Sequence, residues 1–105
     1  MEQSDKSDAR RILAIDIGGT GVKVRRNGSD DIRRVESGLT MGPDKMVGEV
    51  KEMAHDWDFD VISMGYPGPV QRGNIMRDPH NLAPGWIKYD FAAAFGKPVK
   101  LINDA

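Results

Sequence analysis

The stretch LAIDIGGTGVKV, residues 13–24, decides the fold that the sequence predicts. It opens with an almost continuous apolar run, broken only by Asp16, which is the pattern of a central strand buried on both faces. The glycines at positions 18, 19 and 21 predict a tight turn that residues with side chains would strain. Val22 to Arg25 then alternate between apolar and charged residues, as in a half-buried strand. The local prediction is strand, glycine turn, strand.

The rest of the chain predicts alternating helices and strands. Residues 32–35 form a third strand, Pro43 opens a helix whose apolar face continues to Trp57, and residues 61–64 form a buried strand before a shaped loop. Residues 70–76 predict a small hairpin, residues 86–95 a second helix, and Pro98 opens the last strand. Three antiparallel strands followed by helix, strand, helix, strand predict an α/β fold with a mixed sheet whose first strand is central.

Composition narrows the class of protein. At 105 residues the chain is one domain, and its 15 basic and 16 acidic residues, without a long run of one sign, offer no patch for nucleic acid or a membrane. The absence of cysteine excludes disulfides and thiolate metal sites and is compatible with a reducing compartment. No apolar run approaches the ~18 residues of a membrane span, and residues 1–10 lack the apolar core of a signal peptide. We therefore expect a cytoplasmic domain over residues 11–105, preceded by a disordered tail over residues 1–10.

The glycine turn invites three phosphate-binding interpretations, of which two fail. A P-loop needs glycine and lysine side by side before a helix, and a dinucleotide fingerprint needs a third glycine three residues after the second, also before a helix. Here Lys23 follows Val22 in a predicted strand. A nest of backbone N–H groups remains, beside Asp16, whose charge needs a cation when phosphate binds. This favours phosphate with Mg²⁺, and an ordinary hairpin with Asp16 hydrogen-bonded to its own turn is the alternative.

Four segments together point to a family. LAIDIGGTGVKV, GYPGPV, NLAPGW and KPVKLINDA, in this order and at these spacings, resemble the N-terminal lobe of ROK-family (repressor, open reading frame, kinase) sugar kinases, nearest to the glucokinase and polyphosphate-glucokinase branch. The resemblance covers about residues 11–105 and implies the actin-like, ribonuclease-H-like ATPase fold, in which two lobes close around sugar and phosphoryl donor. It implies transfer of a phosphoryl group from ATP or polyphosphate to the 6-hydroxyl of a sugar, glucose above all, with Mg²⁺ as cofactor.

The resemblance also implies roles for individual residues. It implies a phosphate-binding turn with Asp16 near the magnesium ion, directly or through water, and the matching residues are Asp16, Gly18, Gly19 and Thr20. It implies a loop beside the sugar at Gly65, Pro67 and Gly68, and sugar-hydroxyl contacts from Gly68, Asn81, Asn103 and Asp104. Asp104 matches the catalytic base, which must be ionised and within hydrogen-bond reach of the attacking hydroxyl.

Several other conspicuous residues have two interpretations. Lys23 either contacts phosphate or is a solvated strand charge, and the arginines at positions 25, 26, 33 and 34 either attract a polyanionic donor or keep a sheet edge soluble. Trp57 and Trp86 are expected to be core anchors, with Trp86 close to the loop beside the sugar. His55 and His80 are expected to be surface residues without a metal.

The resemblance also implies what this chain is part of. ROK kinases continue after the Asn-Asp-Ala segment with further sugar ligands and a nucleotide-binding lobe, so we expect the 105-residue chain to be the first lobe alone, with negligible kinase activity. Apolar surface left uncovered on the sheet is expected to drive self-association, with a homodimer as one form. The alternative function is a non-catalytic sugar- or phosphate-binding module, or the sensor lobe of a ROK-type regulator, which would need a helix-turn-helix ahead of the first strand.

Overall fold

A mixed five-stranded sheet forms the centre of the chain. The computed structural model describes residues 11–103, so the predicted tail and Asp104 lie outside the described residues. The strands of the sheet are β1 (Ile12–Ile17), β2 (Gly21–Arg26), β3 (Ile32–Glu36), β4 (Val61–Tyr66) and β7 (Val99–Asn103). Two short strands, β5 (Val70–Gln71) and β6 (Asn74–Ile75), form a separate hairpin, and the helices are α1 (Pro43–Met53) and α2 (Phe91–Phe95).

The strand order is β3-β2-β1-β4-β7, which places β1 at the centre. The pairs β1–β2 and β2–β3 are antiparallel, and the pairs β1–β4 and β4–β7 are parallel. The predicted mixed sheet is therefore confirmed. Because β1, β4 and β7 run in the same direction, their carboxyl ends meet at one edge of the sheet, where Asp16 is paired with Gly65 and Tyr66 with Asn103.

Within residues 11–103, helices cover one face of the sheet. Leu13, Ile15 and Ile17 of β1 are buried in one cluster with the buried residues of β2, β4, α1 and α2. Ala14 and Asp16, which alternate with them, are exposed. The prediction that β1 is buried on both faces is wrong, because both described helices pack on the same side and leave the other side open.

Helix α1 begins as predicted and ends before Trp57. Pro43 occupies the first turn, and Met46, Val47 and Val50 face the core. Ala54 is the C-cap, and the chain turns before Trp57, which is therefore not on the helix face. The half-buried indole of Trp57 instead packs under the Arg33 guanidinium, 3.8 Å from its ring centroid.

The second helix is half as long as predicted. Residues 86–90 are not helical, because Lys88 has a left-handed backbone (φ 63°) and the Asp90 carboxylate caps the new helix by accepting a hydrogen bond from the Ala93 N–H at 3.0 Å. Gly96, with φ 71°, ends α2 in the left-handed conformation that is common at helix ends. Ile87, which lies in this non-helical segment, is exposed.

The predicted hairpin after β4 is present. Its turn is formed by Arg72 and Gly73, both with positive φ, which matches the twist of a two-residue hairpin. Strand β4 itself extends through Gly65 and Tyr66, which were predicted to lie in the loop. Among residues 11–103, no helix has both the length and the apolar character needed to cross a membrane.

Gly48 offers a direct test of how α1 is held. It is exposed in the middle of the helix, and a Cβ added there would meet no atom within 4 Å. Gly48→Ala should raise the free energy of unfolding by about 1 kcal/mol, because alanine loses less backbone entropy in a helix. Urea denaturation measures this. Gly96→Ala is the matched control and should be destabilising, since its backbone is left-handed; a loss of stability in Gly48→Ala would contradict the helix assignment.

Candidate functional site

The glycine turn, defined as Gly18–Gly21, is held in place from β3 and the residue that follows it. Within the turn, the Gly18 N–H donates to the Gly21 carbonyl at 2.9 Å. The Ser37 hydroxyl donates to the Gly18 carbonyl at 2.7 Å, and the Ser37 N–H donates to the Thr20 carbonyl at 3.3 Å. Arg34 Nη2 donates to the same Thr20 carbonyl at 2.9 Å. The Gly18 and Thr20 carbonyls therefore accept hydrogen bonds from Arg34 of β3 and from Ser37, which follows β3.

Two amide groups of the turn have no such partner. Over the described range, 11–103, neither the Gly19 N–H nor the Thr20 N–H donates a hydrogen bond to another protein group. Backbone N–H groups grouped in a turn carry partial positive charge and form a concave site for an anion. The turn is thus suited to hold a phosphate oxygen.

The glycines are required for close approach rather than for an unusual backbone. None of the three glycines of the turn has a positive φ, so the expected strain on side-chain-bearing residues does not come from φ. A Cβ on Gly19 would instead lie 2.9 Å from the Asn81 Cβ and 3.1 Å from its Nδ2. The turn and Asn81, predicted to serve phosphate and sugar respectively, are in direct contact.

A polar groove of about 250 Å³ runs beside the turn, lined by Asp16, Gly18, Thr20, Gly21, Lys23 and Arg34. Asp16 is exposed, and no group among residues 11–103 donates a hydrogen bond to its carboxylate, so the alternative in which Asp16 bonds to its own turn is not observed. The Asp16 carboxylate is a suitable protein ligand for Mg²⁺, which keeps several waters and is held jointly by one or two carboxylates and phosphate oxygens. No cluster of three or more metal-ligating side chains exists among residues 11–103.

Asn81 is presented by a loop closed by its own polar contacts, here called the asparagine loop (residues 78–86). The Asp78 carboxylate accepts hydrogen bonds from the Gly85 N–H at 3.2 Å and the Trp86 N–H at 2.8 Å. Trp86 is fully buried against Tyr66 and Phe91, and its indole N–H donates to the Ala83 carbonyl at 2.7 Å. The core role predicted for Trp86 is confirmed, and through it the loop is anchored beneath the exposed Asn81.

Gly68 and Asn103 form a second contact between predicted sugar residues. A Cβ on Gly68 would lie 2.8 Å from the ring of Tyr66, so this glycine rests directly on the buried tyrosine. The Tyr66 hydroxyl donates to the Arg77 carbonyl at 2.7 Å and fixes the ring. The Asn103 side-chain amide donates to the Gly68 carbonyl, which joins the end of β7 to the loop after β4.

The structure gathers the predicted residues at one edge of the sheet in three neighbouring groups. Asp16 lies with the glycine turn, Gly19 meets Asn81, and Gly68 meets Asn103. A small cavity of about 100 Å³ lies beside the Gly19–Asn81 contact and is lined by Gly19, Pro67, Pro79, His80, Asn81 and Leu82. Asp104, the predicted base, is the residue after Asn103 and lies outside the described residues.

Sequence reasoning missed the supporting residues of this site. Ser37 had no signal beyond its place just after a strand. Asp78 precedes a proline, glycine and asparagine-rich segment in which a carboxylate commonly bonds to nearby backbone, so its role was open to prediction. Arg34 was grouped with three other arginines, and only the structure separates it from them.

Solved structures of other proteins match this lobe. A ROK hexokinase from Thermus thermophilus matches with TM-score 0.69 and 25% identity. A ROK-family protein from Streptococcus pneumoniae TIGR4, solved with sucrose, matches with TM-score 0.69 and 27% identity. A Listeria monocytogenes protein, for which N-acetylmannosamine kinase activity is proposed, matches with TM-score 0.70 and 27% identity.

These matches confirm the predicted resemblance to ROK-family sugar kinases. Each covers 90% of this chain, whereas the chain spans only 35% of the length of each of the three proteins, which is consistent with one lobe. Neither a protein-family model nor a curated protein matches the sequence.

A substitution at Gly19 tests the contact between the glycine turn and the asparagine loop. Gly19→Ala forces Asn81 to move, so we expect the Asn81 and Leu82 amide resonances to shift and the free energy of unfolding to fall by about 1 kcal/mol. Two-dimensional ¹⁵N NMR and urea denaturation measure these effects. Gly48→Ala, whose Cβ meets nothing, should leave the resonances of the asparagine loop in place. An unchanged Asn81 signal in Gly19→Ala would show that the two elements are not in contact.

The phenol of Tyr66, which supports Gly68, should lose its proton only at high pH. Burial, with a smaller contribution from the charge of Asp78, raises the pKa of Tyr66 to about 12, and burial with the hydrogen bond to Asp44 raises the pKa of Tyr89, the only other tyrosine, to about 12. The folded state holds these protons more tightly than the unfolded chain, so their stabilising effect is complete below about pH 10 and is lost as the pH rises towards 12.

Ultraviolet absorbance measures the phenolate directly. We expect the folded chain to form phenolate only well above pH 10, and the urea-unfolded chain to form it near 10. Tyr89→Phe isolates the signal of Tyr66. Phenolate formation near pH 10 in the folded Tyr89→Phe chain would contradict a buried, rigid Tyr66 beneath Gly68.

Proposed function

We propose that this chain is the phosphate- and sugar-binding lobe of a glucokinase-like phosphotransferase. The observation that carries the proposal is the contact between Gly19 and Asn81, since it joins an anion-binding turn to an amide suited to a sugar hydroxyl. The reaction is transfer of a phosphoryl group from ATP or polyphosphate to the 6-hydroxyl of a sugar, with glucose as the first candidate. The match to solved sugar kinases supports the same assignment.

On the donor side, the glycine turn would bind the phosphoryl group through the Gly19 and Thr20 amides. Asp16 would hold Mg²⁺, directly or through water, and the ion would supply charge neutralisation on the phosphate oxygens. Phosphoryl transfer depends mainly on positioning and on neutralisation of charge, so a turn already fixed by Ser37 and Arg34 loses little entropy when it binds.

On the acceptor side, Asn81 and Asn103 would bind sugar hydroxyls. An amide side chain both donates and accepts, as a hydroxyl does, and both residues stand on supported backbone. Asn103 already donates to Gly68, which sets the orientation of its side chain. Asp104, the next residue in the chain, would accept the proton of the attacking hydroxyl.

The isolated chain is expected to bind its ligands without turning them over. It spans about a third of the sugar kinases it resembles. Much of the rate of a kinase comes from holding both reactants in line in a water-excluded site, and one lobe forms one wall of such a site.

Titration of the ¹⁵N-labelled chain tests the proposal. We expect glucose to shift the Gly68, Asn81 and Asn103 amides, and Mg²⁺ with tripolyphosphate to shift Gly19 and Thr20. Asn81→Ala should weaken glucose binding about fivefold, because it removes hydrogen bonds to a neutral hydroxyl. Gln71→Ala removes an exposed amide in β5 and should leave affinity unchanged.

The outcome separates two functions. Shifts by both ligands support the kinase lobe. Shifts by sugar alone indicate a non-catalytic sugar-binding module. If neither glucose nor N-acetylmannosamine perturbs the asparagine loop, the sugar half of the proposal is wrong.

A further inference from the structure

Three charged side chains lie in register across three neighbouring strands on the open face of the sheet. Asp16 of β1 is paired with Lys23 of β2, and Lys23 is paired with Arg34 of β3. All three line the groove beside the glycine turn. Like charges directly opposite each other on adjacent strands are destabilising. Asp16 offsets one of the two positive charges, so the row keeps one excess positive charge beside the turn, which a bound anion would balance.

Arg34 is held over the turn by a specific contact. Its Nη2 donates to the Thr20 carbonyl at 2.9 Å, which is the one hydrogen bond of the Arg34 side chain within residues 11–103. A Cβ on Gly21 would overlap with the guanidinium, so the absence of a side chain at position 21 makes room for it. An arginine that serves only to keep an edge soluble needs neither feature.

The neighbouring arginine shows the contrast. Arg33 faces the other side of β3, where its guanidinium bonds to the carboxylates of Asp31 and Asp56 and stacks on Trp57. Its hydrogen-bonding capacity is used in joining β3 to the segment after α1. Arg34 has one bond to a carbonyl and no carboxylate within ion-pair distance among the described residues, so most of its five N–H donors remain available.

We infer that Arg34 is a phosphate-binding residue of the glycine turn and binds the terminal phosphate of the phosphoryl donor. Its guanidinium is fixed by the Thr20 carbonyl, and the residue is paired with Lys23 on the neighbouring strand. The inference rests on the proposed function and adds to it a ligand supplied by β3. The planar guanidinium fork matches two phosphate oxygens, and such charge-assisted pairs are about twice as strong as neutral hydrogen bonds. The Gly19 and Thr20 amides bind the same group, and Asp16 lies on the side where Mg²⁺ would bind.

Calorimetric titration of the full chain with Mg²⁺ and tripolyphosphate tests the inference. Arg34→Gln should weaken binding about tenfold or more, because it removes a charged, two-pronged donor. Arg25→Gln makes the same change of charge on the same open face, away from the turn, and should weaken binding less than about threefold. Arg34→Lys keeps the positive charge without the two-pronged guanidinium, and its loss of binding should fall between those of Arg34→Gln and Arg25→Gln.

A second variant tests the position of the guanidinium without removing it. Gly21→Ala displaces Arg34 from the Thr20 carbonyl and should reproduce part of the loss seen in Arg34→Gln. A parallel titration with Mg²⁺ and ATP identifies the source of the phosphate. Tighter binding of tripolyphosphate assigns the site to inorganic polyphosphate, and tighter binding of ATP assigns it to a nucleotide; either result is compatible with Arg34 as ligand.

Two results would overturn the inference. If Arg34→Gln and Arg25→Gln lose equal affinity for tripolyphosphate, Arg34 contributes only general positive charge. If the affinity is unchanged in Arg34→Gln, Arg34 does not bind the phosphate. If the wild-type chain binds glucose at Asn81 but no triphosphate, the Arg34 inference and the donor half of the proposed function both fail, and the sugar half stands. If triphosphate binds through Arg34 but no sugar binds, only the sugar half fails.

Discussion

The parallel pairing of β1, β4 and β7 is the constraint on which the candidate site depends. Because the three strands run in one direction, the segments that follow them emerge at the same edge, although they are far apart in the sequence. The register places Asp16 beside Gly65 and Tyr66 beside Asn103. A shift of one residue in either pairing would turn these side chains to the opposite face and separate them.

Contacts from outside the three strands then fix the segments that the register brings together. Ser37 and Arg34 donate hydrogen bonds to the Gly18 and Thr20 carbonyls and leave the Gly19 and Thr20 amides available. Asp78 and the buried Trp86 close the asparagine loop, and Tyr66 supports Gly68. The glycine turn, the asparagine loop and Gly68 are thus each held by a partner whose own position is set by burial or by a hydrogen bond, which is the arrangement that binding without large rearrangement requires.

Much of the fold was predictable from the sequence, since apolar periodicity, glycine turns and proline positions are local signals. The glycine turn, the start of α1, the hairpin over residues 70–76 and the stop at Gly96 all follow from such signals. The errors have non-local causes. The open face of β1 depends on where distant helices pack, and the late start of α2 depends on Lys88 adopting a left-handed backbone that its sequence does not demand. In the site, residue types and spacing indicated Asp16, Asn81 and Asn103, but the closeness of Gly19 to Asn81 and the separate roles of Arg33 and Arg34 are properties of packing.

The central claim is that phosphate and sugar bind side by side on this lobe, and paramagnetic relaxation tests it most directly. Mn²⁺ replaces Mg²⁺ in a mixture of the chain, tripolyphosphate and glucose, and the relaxation of the glucose protons is measured. We expect relaxation that is strongly enhanced by the chain, is lost in Asp16→Asn and is reduced in Asn81→Ala. Glucose relaxation that is the same with and without the chain, while both ligands are bound, would place them at separate sites and contradict the account.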